Sequence, residues 1–449
     1  MPETPARVNR EQQREKFALD WMRMRLIKTT DRAFRPLLAK ILARRASRAG
    51  EVERRVAEIV SAVQRRGDAA VLRYTRMFDH ARLSRATLEV PDAQIQRALA
   101  QISRRDLATL RLAAKRIAAF HRRQVQKSWH YRDPLGMWLG QRIAPLERVG
   151  VYVPGGKASY PSTVLMNVIP AKVAGVKEVI MTSPIGDDGA LILAAAHLAG
   201  ADRIFRIGGA QAVAALAYGT RTIPKVDKIV GPGNIFVAAA KRMVFGEVDI
   251  DSIAGPSEIL LLVDASADPV HVAADLLSQA EHDELAAGLC VTTSSAAAFK
   301  IKQAVERLVQ TTERQAITRK ALSQYGAIIV ARSEKEMVDL ANAIAPEHAE
   351  LIVRRPLDLA RQIRNAGALF LGPYSAPPLG DYFAGPNHVL PTGGSARFFS
   401  PLGTYDFVKR TTVIRAERRA LKVLAPKITH LARLEGLYDH ARSVEARFL

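Results

Sequence analysis

The sequence predicts an α/β fold: two parallel, helix-covered sheets, a mainly helical N-terminal part and a small helical tail. Two observations carry this. From residue 142 to 371, short apolar runs rich in Val, Ile and Leu alternate with helical segments. Strands alternating with helices give parallel sheets with helices on their faces. Residues 32–125 instead repeat apolar positions at helical spacing. A chain of 449 residues is long enough for roughly two to three domains.

In chain order, residues 1–23 are polar and charged without an apolar period, and are set aside as an extension. Arg25-Leu-Ile-Lys28 reads as a short strand. Helices follow to about residue 125, with Gly67-Asp68 opening one of them and Thr87-Leu-Glu-Val90 as a candidate strand. The first alternating set has strands at 150–153, 178–182, 203–207 and 228–230, and helices at 164–174, 190–199 and 210–218. The second has strands at 259–263, 289–292, 327–330, 350–353 and 368–371. Its helices are expected at 268–287, 296–309, 334–344 and 357–365. Residues 372–408 are rich in Gly, Pro and Ser, yet too ordered in motif for a linker. Residues 426–449 read as one amphipathic helix with Leu434, Leu437 and Val444 on its apolar side. The two sets read as possible related halves.

Composition narrows the function classes. No apolar run approaches the ~20 residues of a membrane span, and the Arg-rich start lacks the apolar core of a secretory signal. A single cysteine, Cys290, makes no internal disulfide and no cysteine metal cluster. The simplest compartment is the cytoplasm. The net charge of +22 is uneven: residues 1–149 carry 33 Lys+Arg against 15 Asp+Glu, and the remainder is nearly balanced. A solvated helical surface explains this. A nucleic-acid footprint is the sharper reading, but zinc-finger spacing and interleaved aromatics are both missing.

Several motifs carry chemistry-bearing residues. Gln279 and His282 are three apart in a predicted helix and so share a face; alone, such a pair reads as a surface or cap feature. Glu347-His348 sits between a helix and a strand and could serve two proton transfers; alone, it reads as a helix-terminal Glu and a satisfied His. Gly380-Asp-Tyr and Gly385-Pro-Asn-His388 form a glycine-flanked turn, whose chemistry explains all but His388. His440 and Glu435 lie in the tail, where an exposed polar face is the simpler reading. Glycine loops follow strands at Pro154-Gly-Gly-Lys157, Gly208-Gly-Ala-Gln211 and Gly231-Pro-Gly-Asn234. They suit phosphate approach, but neither a G-x-G-x-x-G nor a P-loop is present.

Taken together and in order, these strings resemble the histidinol dehydrogenase family. The resemblance runs from about residue 25 to the end. It is densest in Glu147-Arg-Val-Gly-Val-Tyr-Val-Pro-Gly-Gly156, Gly231-Pro-Gly-Asn-Ile-Phe-Val237, Ile253-Ala-Gly-Pro-Ser-Glu258, Gln279-Ala-Glu-His-Asp283, Pro346-Glu-His348 and Gly380-Asp-Tyr-Phe-Ala-Gly-Pro-Asn-His-Val-Leu-Pro-Thr392. It implies two incomplete Rossmann-like domains. It further implies a zinc-dependent oxidation of L-histidinol to L-histidine with two NAD+ and one water. The implied zinc ligands, for one ion per subunit, are Gln279, His282, Asp381 and His440. The implied catalytic pair is Glu347 and His348. Ser257, His388 and Glu435 are implied as substrate contacts beside His348 and the ligands. Tyr152, Gln211 and Asn234 are the implied NAD contacts.

The family is homodimeric, with a C-terminal segment crossing to the neighbour. The expected division is therefore an extension at 1–24, and residues 25–149 joining 258–402 in a first α/β domain. A second α/β domain at 150–257 holds the NAD contacts, and the tail at 403–449 reaches the partner. The competing enzyme reading is a related zinc and NAD dehydrogenase of another small polar alcohol, such as a sulfonated diol.

Overall fold

The computed structural model describes residues 24–45, 49–155, 160–186 and 189–449. The N-terminal extension and Gly156-Lys157 of the first glycine loop lie outside them. Among the described residues, two parallel sheets and one antiparallel ribbon make up the strand content. The larger sheet has six strands in the order Arg25–Lys28, Ala327–Val330, Ala287–Thr292, Glu258–Val263, His348–Ile352 and Ala368–Leu371. The smaller has five, in the order Arg203–Phe205, Glu178–Thr182, Arg148–Tyr152, Lys228–Val230 and Asp249–Ile250. In the smaller sheet, and in the larger one from Glu258 onward, the chain starts centrally, winds outward to one side, then returns to the other; Arg25–Lys28 adds an edge strand beside Ala327–Val330. The two sets thus share one winding order.

Central strands are continuous apolar runs because helices cover both faces. Glu258–Val263 and Ala287–Thr292 are buried throughout. The helices at 49–66 and 68–78 pack, through Val56, Val63 and Val71, on the helices at 209–218 and 235–244 that flank the smaller sheet, and those at 92–101 and 104–122, through Ala98, Leu110 and Ile117, on the helices at 161–174 and 190–199. Of the N-terminal third, Ile27, Phe34 and Ile41 pack into the larger sheet. Residues 25–42 thus pack with the larger sheet, and the helices from 49 to 122 with the helices of the smaller one. Their arginines, such as Arg54, Arg55 and Arg111, face solvent.

Other differences have local causes. Residues 87–90 form no strand: Glu89 makes a lone bridge to Phe205. The ribbon Trp129–Arg132, Trp138–Pro145 and Val408–Arg415 escaped the sequence reading. It buries little of either face, so no apolar alternation marks it. The helices Ile235–Val244 and Gln315–Tyr325 were also missed. The tail is two helices, Arg418–Leu434 and Tyr438–Glu445, separated at Gly436, whose φ is 74°. Among the described residues no helix is long and apolar enough to cross a membrane.

Candidate functional site

The amino ends of two adjacent strands of the larger sheet hold the centre of the site. Glu258 opens one strand and His348 opens its neighbour, paired with Ile259. The Glu258 N–H donates to Glu347 Oε2 at 2.9 Å, and the Glu258 carbonyl accepts from His348 Nδ1 at 3.2 Å. A carbonyl only accepts, so Nδ1 carries the hydrogen and, in the neutral ring, Nε2 carries the lone pair. Nε2 is buried without a hydrogen-bond partner, 3.8 Å from Asp381 Oδ1. The Glu347–His348 turn is tight: Ala345, two residues earlier, caps its helix at a φ of 51°. A non-glycine residue held there stores strain beside the pair.

Asp381 was expected in a turn, but ends the short helix Pro377–Tyr382. Pro377 at the first helical position suits that start. The chain then reverses at Gly385, whose φ is 109°, and where a Cβ would come within 3.0 Å of the Arg116 carbonyl. This brings His388 back, and its Nδ1 donates to the Asp381 carbonyl at 3.0 Å. Asn387 fastens the segment: its Nδ2 donates to the Met166 carbonyl at 2.6 Å.

Burial and charge compete at these groups. Burial raises the Glu347 pKa to about 7. Burial works against charge on His348, yet the Glu347 and Asp381 carboxylates outweigh it and raise its pKa to about 9. Burial also opposes ionisation of Asp381, but the imidazoles of His348, His388 and His282 hold its pKa below the usual range. Burial lowers the pKa of both His282 and His388.

Gln279 lies buried in the last turn of the helix Pro269–Ala280. The helix was expected to run to 287; it stops seven residues sooner. Asp283 diverts the chain, with its Oδ1 accepting from Leu285 N–H. His282 therefore sits just beyond the helix, but its N–H still reaches the Gln279 carbonyl at 3.3 Å, which keeps the two residues adjacent. Ser257 is half-buried directly before Glu258. One chain thus gathers Glu347, His348, Asp381, His282 and His388 within electrostatic reach, with Gln279 and Ser257 adjoining them in sequence. It does not bring in Glu435 or His440, which are exposed on the tail. Leu434 and Leu437 beside them are 71% and 42% exposed, so the predicted apolar face is not covered by its own chain.

An amide oxygen, an imidazole and a carboxylate are suitable zinc donors. Among the described residues, however, no three His, Cys, Asp or Glu side chains are grouped to hold a metal. The donors present make a partial set that fits zinc only with a further ligand.

The NAD candidates sit at the carboxyl ends of the smaller sheet, the side where open α/β sheets bind ligands. The Tyr152 hydroxyl accepts from Gly209 N–H at 3.1 Å, and burial pushes its pKa up to about 12. Gln211 is fully buried; its Nε2 donates to Asp79 Oδ2 at 3.2 Å and its Oε1 is unpartnered. Asn234 Oδ1 caps the next helix by accepting from Phe236 and Val237 N–H. Asp79 was missed because nothing in its helix-end setting marks it; only the fold carries it to the glycine turn.

Behind the site, both Glu350 carboxyl oxygens are buried against the Asp275 carboxyl. Burial and the Asp275 charge raise the Glu350 pKa. A raised carboxyl pKa means the folded state binds the proton more tightly, so stability falls as pH rises above the ordinary value of 4.5. Glu350→Gln removes that penalty. It is expected to raise Tm by about 2–4 °C at pH 8 and much less at pH 5. Equal shifts at both pH values in thermal melts would contradict the shared burial of these carboxyls.

Comparison with known proteins shows the family. The histidinol dehydrogenase family profile matches residues 42–448. The histidinol dehydrogenase of Syntrophotalea carbinolica is 56% identical over 94% of this chain and 99% of its own. That of Geobacter sulfurreducens is 51% identical over 94% and 100%. The crystal structure of histidinol dehydrogenase from Elizabethkingia anophelis superposes with a TM-score of 0.89 at 34% identity, covering 95% of this chain and 98% of that one. The chain therefore belongs to the histidinol dehydrogenase family and is an oxidoreductase.

Proposed function

We propose that this protein oxidises L-histidinol to L-histidine through the bound aldehyde, the last step of histidine biosynthesis, in the cytoplasm. The single observation that carries the reading is the Glu347–His348 pair. Both residues are anchored on the Glu258 main chain, and His348 Nε2 is open toward Asp381. Bound zinc would orient the substrate's nitrogens and offset the Asp381 charge, and two NAD+ in succession would each accept a hydride.

The neutral form of His348 takes the hydroxyl proton at Nε2 as the carbinol carbon loses its hydride, and the carboxylates that raise its pKa stabilise the imidazolium that forms. The aldehyde stays in the site, away from free amines. Glu347, with a pKa near neutrality, then takes a proton from water as the oxygen adds to the aldehyde carbon. The hydrate loses the second hydride and becomes the carboxylate. The balance is one alcohol, one water and two NAD+ giving one carboxylate, two NADH and three protons. Gln279, His282 and Asp381 would hold the metal from one subunit, and His440 would complete it from a partner. Ser257, His388 and Glu435 would position the substrate, and Tyr152, Gln211 and Asn234 the cofactor. The two-sheet body with a partner-reaching tail is the domain arrangement we favour, and no nucleic-acid role is required.

A substrate panel scored by NADH absorbance tests the reading. Two NADH per histidinol consumed is the expected result. One NADH per sulfonated diol, with histidinol inert, would replace it with the competing alcohol dehydrogenase.

A further inference from the structure

An ion pair is buried at the foot of the site. Arg44 lies just past the helix Phe34–Leu42; its side chain is 1% exposed, and that of Glu258 is 5% exposed. Arg44 Nη2 donates to Glu258 Oε2, and also reaches the Pro256 carbonyl at 3.4 Å. Its Nε donates to the Leu285 carbonyl at 3.2 Å and its Nη1 to the Ile41 carbonyl at 2.9 Å. The other Glu258 oxygen accepts from Gly393 N–H at 2.6 Å. One guanidinium thus grips the strand start at 256–258 and the turn that follows His282.

Glu258 is also the residue whose N–H holds Glu347 and whose carbonyl holds His348. Its side chain is bound on one side and its main chain serves the dyad on the other. Stability alone does not call for this pair, since apolar residues of equal volume often serve as well or better. What a forked, fully bonded guanidinium supplies is a fixed position.

We propose that Arg44 and Glu258 are positioning residues for the Glu347–His348 pair. By clamping the first residue of the strand Glu258–Val263, they fix the N–H that orients Glu347 and the carbonyl that keeps His348 Nε2 open. The proposal rests on the functional reading above. Neither side chain touches substrate; both act through the main chain of Glu258.

The test compares full-length wild type with Arg44→Met, Arg44→Lys, Glu258→Gln and the double variant R44M/E258Q. Steady-state kcat, both KM values and zinc per subunit are measured for each. Arg44→Met leaves a buried carboxylate without its partner, and kcat should fall by about 30-fold or more, as small displacements of reacting groups do. KM for NAD+ and zinc content should stay within about twofold. R44M/E258Q removes the orphaned charge and should recover kcat at least about fivefold over Arg44→Met, the non-additivity expected of a coupled pair. Should Arg44→Met not fold, Arg44→Lys keeps the charge, loses the fork, and should still lower kcat about fivefold or more. Wild-type kcat in Arg44→Lys and Glu258→Gln overturns the proposal, as does a double variant no better than Arg44→Met. A wild type inert on histidinol would instead overturn the functional reading itself.

Discussion

Replacing Glu347 by Gln is expected to lower kcat for histidinol oxidation by about 10²–10⁴-fold, the usual worth of a positioned general base. The amide oxygen of Gln can still accept the Glu258 N–H, so the fold and the histidinol KM should hold. The loss should fall on the aldehyde stage. In a single turnover the first NADH forms at close to the wild-type rate, and the second is slow. The pH profile gives a second readout. Wild-type kcat should rise as pH passes through about 7, where the buried Glu347 becomes a carboxylate able to accept a proton. That limb should vanish in Glu347→Gln. Two equally slow hydride transfers, or an unchanged acid limb, would assign water activation to another group.

Removing the tail imidazole should be as damaging, and its rescue more informative. Deleting residues 430–449 or substituting His440→Ala is expected to abolish turnover and weaken zinc binding. On the two-fold model, His440 serves the other subunit's site. An inactive His440→Ala chain mixed with an inactive His348→Asn chain should then regain activity. Each mixed dimer pairs one intact His348 with an intact tail, so random assortment restores about a quarter of the wild-type sites. If His440 served its own chain, the mixture would stay dead. Full turnover by the truncated protein would remove His440 from the site.

How far the sequence reveals the molecule follows from where its patterns have physical causes. Buried strands such as Leu289–Thr292 and Ala327–Val330 announce themselves because both faces must be apolar. The exposed ribbon Val408–Arg415 has no such constraint and left no mark. Glu347 and His348 stand out through the family resemblance and not through their own segment, and their place at a strand start puts His348 Nε2 3.8 Å from Asp381 Oδ1. The role of Glu258 was hidden because it acts through its main chain, which no residue pattern encodes. Arg44 was hidden differently: it lies 214 residues from Glu258 in sequence and looked like one more basic residue in an Arg-rich third. Leu434 and Leu437 read as one face of a single helix, but Gly436 breaks the chain between them, and both are exposed.

The most direct test is histidinol-dependent NADH formation by the purified full-length protein, before chelation, after chelation, and after zinc is returned. The account predicts two NADH per histidinol, loss of turnover with the metal, and recovery with zinc. Full turnover by protein verified to be metal-free would contradict it.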